Sequence, residues 1–166
     1  SQRHLPSGQL SLNSVILFTA LTSLGFIGST CFFLPNWLPM KLSGPVLVIL
    51  FVYSLTKRFT FLAHFWLGLS LMLAPLAAWI AIRGDIILQN PADLAPPMVM
   101  GLSVLFWVAG FDILYACQDF DFDKQANLKS VPVRFGILGA LRIAAVSHAF
   151  MVLLLLLLPA TSFLGG

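Results

Sequence analysis

Long apolar stretches, each closed by prolines, glycines or charged residues, recur five times along the chain. They run over residues 12–34, 42–56, 61–82, 95–117 and 136–158. Four of them contain about 22 or 23 residues, enough at about 1.5 Å per residue to cross a hydrocarbon core of roughly 30 Å. The second stretch is short, and Pro45 is predicted to mark the start of its helix. The pattern predicts an all-α, multi-pass transmembrane bundle that forms one domain over residues 1–166.

The composition supports a membrane protein and excludes several other classes. The 166 residues are 59% hydrophobic and 9% charged, with a mean hydropathy of +0.96. Soluble domains carry about 25% charged residues, so a soluble enzyme, a disordered tail and a nucleic-acid-binding module are all excluded. Cys31 and Cys117 have neither metal-ligand spacing nor a disulfide framework. Membrane lipid is therefore an expected partner, and nucleic acid is not.

The basic residues are unevenly shared between the two sides of the predicted bundle. Five crossings place Lys41 and Arg83 on one side. The other side carries Arg3, Lys57, Arg58, Lys124, Lys129, Arg134 and Arg142. Cytoplasmic loops of membrane proteins are enriched in Lys and Arg. The second side is therefore predicted to face the cytoplasm, and the expected location is a bacterial inner membrane.

Four of the six aspartates lie close together at the predicted cytoplasmic end of the fourth segment. On one continuous helix at about 100° per residue, Asp119 and Asp123 fall within about 20° of Asp112, and Asp121 falls on the opposite side. A column of three carboxylates repels itself unless a cation neutralises it, and Mg²⁺ prefers such oxygen ligands. The pattern predicts a metal site formed by this column.

Asp112 is the most informative of these acids. It lies about five residues inside the apolar segment, where an ionised carboxylate costs roughly 2.5–3.5 kcal/mol on insertion scales. An isolated Asp at a membrane boundary is ordinarily a solvated helix end. Three acids in register, with Tyr115 about 60° around the helix, favour a functional site instead. Asp85 and Asp93 lie towards the other side and are predicted to be solvated loop charges.

Three stretches of the chain match motifs of a known family. Residues 112–123 fit the pattern D-x-x-Y-A-x-x-D-x-x-x-D without a mismatch. Residues 53–58 fit Y-P-x-x-K-R with Ser54 in place of Pro, and residues 3–8 fit R-P-L-P-S-G with His4 in place of Pro. In these motifs and their order the chain resembles the UbiA family of intramembrane prenyltransferases over essentially its whole length.

The resemblance implies a fold and a reaction. The fold is a bundle of nine helices, of which the five here are the third to the seventh. In the reaction, a polyprenyl diphosphate held through Mg²⁺ ionises to an allylic cation that alkylates an aromatic acceptor. The acceptor is of the 4-hydroxybenzoate or naphthoate type, in ubiquinone or menaquinone biosynthesis. The implied enzyme is an aromatic polyprenyltransferase.

The resemblance also assigns roles to individual residues. The implied metal ligands are Asp112, Asp119 and Asp123. The implied catalytic residues are Lys57, Arg58 and Tyr115. The implied diphosphate contacts are Lys57, Arg58 and, more weakly, Lys129. Lys57 and Arg58 are equally open to interpretation as positively charged membrane anchors, and this interpretation is favoured for Lys129.

The family's first aspartate motif, N-D-x-x-D-x-x-x-D, is expected just upstream of Arg3, and its last two helices are expected after the final segment. The chain is therefore expected to carry half of the metal site, which leaves an inactive truncated pseudo-enzyme or an assembly subunit as an alternative. A cation transporter is a second alternative. Transport predicts acids near the bilayer midplane or on both sides, whereas here they gather at one end.

Two histidines and three aromatic residues can each be interpreted as structural or as functional. His64 and His148 have no partner at ligand spacing and are predicted to make packing or polar interhelical contacts. Phe106, Trp107 and Phe111 precede the aspartates on the same segment. They are predicted to face lipid or the core, and the wall of a prenyl-binding tunnel is the alternative.

Overall fold

The computed structural model describes residue 8 and residues 10–161. All regular structure in this part of the chain is helical. The helices are α1 (Leu12–Ser29), α2 (Leu38–Tyr53), α3 (Thr56–Phe59), α4 (Ala63–Gln89), α5 (Ala95–Ala116), α6 (Phe120–Gln125) and α7 (Val131–Thr161). Short 3₁₀ turns at Thr30–Phe33 and Pro91–Leu94 follow α1 and precede α5. The predicted all-α class is confirmed.

Four stretches of these helices are long and apolar enough to cross a membrane by length and composition. They cover Leu12–Phe33, Ala63–Gln89, Pro91–Ala116 and Val131–Thr161. Helix α2, with 16 residues, is shorter, as its apolar segment predicts. Helix α1 has no buried residue and a mostly apolar, uncharged surface, which is compatible with contact with lipid.

The predicted start of α2 is wrong. The helix begins at Leu38 and carries Pro39 in its first turn, while Pro45 lies inside it. A proline in the first turn removes only an N–H that has no intrahelical partner, so Pro39 is compatible with the helix start. The fifth segment also begins earlier than predicted, at Val131. Gly136, with φ of 70°, then interrupts α7, a conformation that favours glycine.

Helix α5 lies between α4 and α7 and forms the centre of the bundle. Two glycines allow this close packing. A Cβ at Gly68 on α4 would collide with the carbonyl oxygen of Leu105, and a Cβ at Gly110 on α5 would lie 2.7 Å from Nε2 of His148. Small residues let membrane helices approach closely, so the two glycines set the helix spacing around α5.

Asp93 is buried, so its predicted role as a solvated loop charge is wrong. Its carboxylate accepts hydrogen bonds from Arg83 Nε at 2.8 Å, Arg83 Nη2 at 2.7 Å and Trp79 Nε1 at 2.9 Å. Pairing by a guanidinium and an indole N–H offsets the cost of burying the charge. Asp85, by contrast, is exposed as predicted, but it lies within α4 rather than in a loop. The Asp93 cluster therefore fastens the α4–α5 connection at the end of the bundle opposite the four aspartates of residues 112–123.

Arg83 also interrupts helix α4, with a non-helical φ of −116° and ψ of 21°. The side chain of Asn36, from the connection before α2, reaches the preceding turn. Its Nδ2 donates to the carbonyl oxygens of Ile80 at 2.7 Å and Ala81 at 3.1 Å. These bonds supply donors to backbone carbonyls beside the kink and tie α2 to α4.

Candidate functional site

The aspartate-rich segment is not one continuous helix, so the predicted single column of carboxylates is wrong. Helix α5 ends at Ala116 and α6 begins at Phe120. Between them the backbone tightens into turns in which Gln118 N–H donates to Tyr115 O and Asp119 N–H donates to Ala116 O. Asp121 and Asp123 then lie in the first turn of α6, where the helix dipole favours negative charge. Helical phase counted from Asp112 therefore does not carry across the break.

The four aspartates occupy different environments. Asp112 is partly buried, with 29% of its side chain exposed, whereas Asp119 and Asp121 are exposed. Asp123 is 1% exposed. Of the three acids predicted to share one face, Asp112 and Asp123 bind other side chains of the protein, and Asp119 is exposed.

Asp112 is bonded to a fully buried histidine. Oδ2 of Asp112 lies 2.7 Å from Nδ1 of His64, which has no exposed surface. The backbone N–H of Val131 donates to the other ring nitrogen, Nε2, at 3.4 Å. The predicted polar interhelical contact of His64 is confirmed. The sequence analysis did not predict Asp112 as its partner, because 48 residues separate the two. The sequence feature that could have indicated the pair is a His and an Asp in apolar segments near the same end of the bundle.

Asp123, in α6, is bonded to a lysine of α3, the short helix between α2 and α4. Lys57 Nζ donates to Asp123 Oδ2 at 3.1 Å, and the backbone N–H of Lys129 donates to Lys57 O at 2.7 Å. The Nζ of Lys129 donates to Phe59 O at 3.2 Å. The α2–α4 connection and the α6–α7 connection are thus fastened together by main-chain and side-chain bonds. Arg58, also in α3, is exposed.

An open apolar cavity of about 490 Å³ adjoins Asp112 between α4 and α5. Its apolar walls are formed by Leu67, Leu71, Trp107, Val108 and Phe111. Asp112 and Tyr115 line its loop end, where Tyr115 is 58% exposed. The cavity has the size and apolar lining of a small-molecule site with a few polar groups at one end.

The three aromatic residues before the aspartates divide between two faces of α5. Trp107 and Phe111 line the cavity beside Asp112. Phe106 instead stacks on Phe150 of α7, with ring centroids 5.3 Å apart. The alternative interpretation as a tunnel wall thus has geometric support for two of the three, and Phe106 packs in the bundle.

The carboxylates suit Mg²⁺ by donor type, since hard cations prefer oxygen ligands. Within the described part of the chain, however, no three His, Cys, Asp or Glu side chains are grouped so as to hold a metal ion. Asp112 is engaged with His64 and Asp123 with Lys57. These residues alone therefore provide individual oxygen donors rather than an assembled metal centre.

Similarity to curated proteins covers most of the chain. It is 31% identical to the mitochondrial 4-hydroxybenzoate polyprenyltransferase of Drosophila melanogaster over 81% of the chain and 32% of that protein. It is 31% identical to the 4-hydroxybenzoate octaprenyltransferase of Vibrio parahaemolyticus over 88% of the chain and 50% of that protein. It is 30% identical to the polyprenyl transferase atnF of an Arthrinium species over 81% of the chain and 41% of that protein. The chain thus spans at most about half the length of these relatives.

A solved structure matches the fold. The apo structure of a UbiA homolog from Aeropyrum pernix K1 superposes with a TM-score of 0.87 and 31% identity, covering 96% of this chain and 58% of that one. The sequence profile of the UbiA prenyltransferase family matches residues 1–166. The chain therefore belongs to the UbiA prenyltransferase family.

Proposed function

We propose that the protein takes part in Mg²⁺-dependent transfer of a polyprenyl group from polyprenyl diphosphate to an aromatic acceptor. Relatives named 4-hydroxybenzoate polyprenyltransferase support an acceptor of that type. The proposed pathway is ubiquinone or menaquinone biosynthesis, and the menaquinone branch would use a naphthoate-type acceptor. The observation that carries the proposal is the apolar cavity with Asp112 and Tyr115 at its loop end.

The cavity matches the two-part chemistry of a polyprenyl diphosphate. An isoprenoid chain is apolar throughout, and the side chains of Leu67, Leu71 and Phe111 offer it a surface of the same character. The diphosphate is polar and anionic, so it belongs at the loop end beside Asp112 and the basic loops. A substrate so placed lies along α5 with its reacting carbon near Tyr115, whose aromatic face can stabilise a developing cation.

The basic residues of the two loops fit the departing diphosphate. Cleavage of the allylic C–O bond develops negative charge on the leaving group, and fixed cations stabilise such charge strongly in a water-poor site. Lys57, Arg58 and Lys129 are the cations that we propose for this role. Lys57 and Lys129 are held by bonds between the two loops, so their charges stand at defined places before substrate arrives.

The proposed metal ligands are Asp112, Asp119 and Asp123. A bound Mg²⁺ would supply Lewis-acid neutralisation of the diphosphate oxygens. The three carboxylates differ in how accessible they are to a metal ion. Asp119 is exposed, Asp112 is hydrogen-bonded to His64 and Asp123 is paired with Lys57. We place the site at the cytoplasmic face of a bacterial inner membrane, in line with the basic residues of these loops.

The test is prenyl transfer in membranes that contain the gene product expressed in full. Labelled polyprenyl diphosphate and 4-hydroxybenzoate are supplied with Mg²⁺ or with EDTA, and the prenylated ring is quantified. We expect transfer only with Mg²⁺, and we expect Asp112→Asn to abolish it while Asp85→Asn, an exposed acid at the opposite end, does not. Transfer that survives both EDTA and Asp112→Asn would contradict the proposal.

A further inference from the structure

We propose that His64 is a positioning residue that orients the carboxylate of Asp112, a role that rests on the proposed function of that carboxylate. His64 lies in the first turn of α4, has no exposed surface and places Nδ1 2.7 Å from Asp112 Oδ2. A fully buried ring with both nitrogens bonded has no freedom to rotate. The carboxylate bonded to it is therefore restrained as well.

The hydrogen bonds determine the tautomer of the ring. A backbone N–H can only donate, so the bond from Val131 N–H to Nε2 requires a lone pair on Nε2. The proton of a neutral imidazole then resides on Nδ1, from which it is donated to Oδ2 of Asp112. His64 thus donates to the Asp112 carboxylate through a short hydrogen bond.

The hydrogen bond from His64 to Asp112 has a different effect from the ion pair between Lys57 and Asp123. Lys57 brings a positive charge to Asp123, which offsets the charge of that carboxylate. The hydrogen bond from His64 fixes the direction of the Asp112 carboxylate beside the cavity without placing a lysine or arginine against it. A carboxylate that must attract a cation benefits from such a partner, as ligating groups in metal sites are ordinarily oriented by hydrogen bonds from outside the ligand set.

The same ring couples Asp112 to the loops. Val131 begins α7, directly after Ser130 and Lys129, and the N–H of Lys129 is bonded to Lys57 O. His64 is therefore the link between the carboxylate on α5 and the loop pair that carries the basic residues. The orientation of Asp112 and the placement of Lys57 are predicted to depend on one another through this histidine.

The variants that test this role are His64→Leu and His64→Gln in the gene product expressed in full. Leucine fills volume but donates no hydrogen bond, whereas the glutamine amide offers both a donor and an acceptor. We expect His64→Leu to lower kcat by about 10–100-fold and to raise the Mg²⁺ concentration needed for half-maximal rate, with KM for the aromatic acceptor unchanged. His64→Gln should restore most of the rate. The matched control is His148→Leu, which removes a histidine from α7 that contacts Gly110 rather than Asp112.

A second measurement does not depend on activity. In protein labelled with ¹⁵N-histidine, NMR should show His64 with a protonated Nδ1 and an unprotonated Nε2, and Asp112→Asn should shift the Nδ1 signal. A protonated Nε2 in the neutral ring would overturn the proposal. So would unchanged kinetics in His64→Leu, or equal losses in His64→Leu and His64→Gln that follow protein stability alone.

The two proposals fail in distinguishable ways. If Asp112→Asn abolishes transfer and His64→Leu leaves it intact, the positioning role is wrong and the proposed function stands. If the unmodified protein transfers no prenyl group, the proposed function is wrong. The positioning role, which rests on that function, is then overturned with it, whatever the NMR data show about the His64–Asp112 contact.

Discussion

Lys57 Nζ lies 3.1 Å from Oδ2 of Asp123 and closes a contact between two short helices, the paired residues being 66 positions apart in sequence. The Asp123 side chain is 2% exposed, whereas the Lys57 side chain is 36% exposed. The carboxylate therefore depends on the lysine for most of its charge stabilisation, while the lysine also reaches water. Because Asp123 is the more buried of the two, loss of the Lys57 charge leaves a buried carboxylate without its partner.

Lys57→Met is expected to destabilise the protein by leaving a nearly buried carboxylate without its partner. The loss of a buried ion-pair partner costs about 3–5 kcal/mol, and partial exposure of the lysine reduces this to about 1–3 kcal/mol. Unfolding in detergent, followed by circular dichroism, gives the measurement. Lys41→Met removes an exposed lysine at the opposite end and serves as the control; an equal shift in both variants would show that the Asp123 pair adds nothing.

Asp119 and Asp121 are expected to differ in their effect on activity. Asp119 directly precedes α6 and is a proposed metal ligand, whereas Asp121, in the first turn of α6, is not; both residues are exposed. Asp119→Ala should lower prenyl transfer by about 10²–10³-fold through loss of charge stabilisation, and Asp121→Ala should keep most of the activity. The assay is transfer to 4-hydroxybenzoate at matched expression. Equal losses would place Asp121 in the site and contradict the proposed ligand set.

Gly68→Ala is expected to disrupt the packing of α4 on α5. Its added methyl group meets the carbonyl oxygen of Leu105, a backbone atom that cannot rotate away. Overpacking of this kind typically costs about 1–3 kcal/mol. Gly25→Ala, where nothing lies within 4 Å, is the matched control and should be neutral or stabilise α1 by up to about 1 kcal/mol. Thermal unfolding of both variants in the same detergent checks the prediction.

Asp93→Asn is expected to lower the thermal stability without changing prenyl transfer. The neutral amide keeps the shape of the side chain but loses the charge that accepts both Arg83 hydrogen bonds, so the buried cluster at the α4–α5 connection weakens. The readouts are Tm in detergent and transfer rate below Tm. A loss of rate at an unchanged Tm would indicate that this end of the bundle communicates with the site.

Residue 125 is expected to face the cytoplasm and residue 85 the opposite side. Single cysteines at Gln125 and Asp85, both exposed positions, are placed in a background where Cys31 and Cys117 are alanine. In intact cells an impermeant maleimide should label position 85 and spare position 125 until the cells are opened. Labelling of position 125 from outside would reverse the orientation inferred from the basic residues.

Much of the fold follows from the sequence because the bilayer imposes a simple rule. A long apolar run in lipid must satisfy its own backbone groups, and a helix does so within the run. The segments at 61–82 and 95–117 therefore correspond to α4 and α5; α4 ends several residues later than predicted, and α5 agrees to within one residue. The fifth apolar segment starts at residue 136, and Gly136 interrupts α7 there with its positive φ.

The helix break after Ala116 was not predictable from periodicity. No proline or glycine lies between Tyr115 and Asp123, so a continuous helix was the simplest expectation. Where this segment leaves the apolar region, the contacts of Asp123 with Lys57 and of the following loop with Lys57 O compete with further helix. Those partners come from 66 and 72 residues away, and local propensity carries no information about them.

The sequence by itself determined the helical class, the chemistry-bearing motif and the gathering of acids and bases at one end. Tertiary structure alone decided how those side chains are partnered: Asp112 by a histidine, Asp123 by a lysine and Asp93 by an arginine that cancels its charge. The physical reason is that the cost of a charge in a low-dielectric bundle depends on what lies within about 3 Å of it. Helix packing brings those neighbours together from distant parts of the chain.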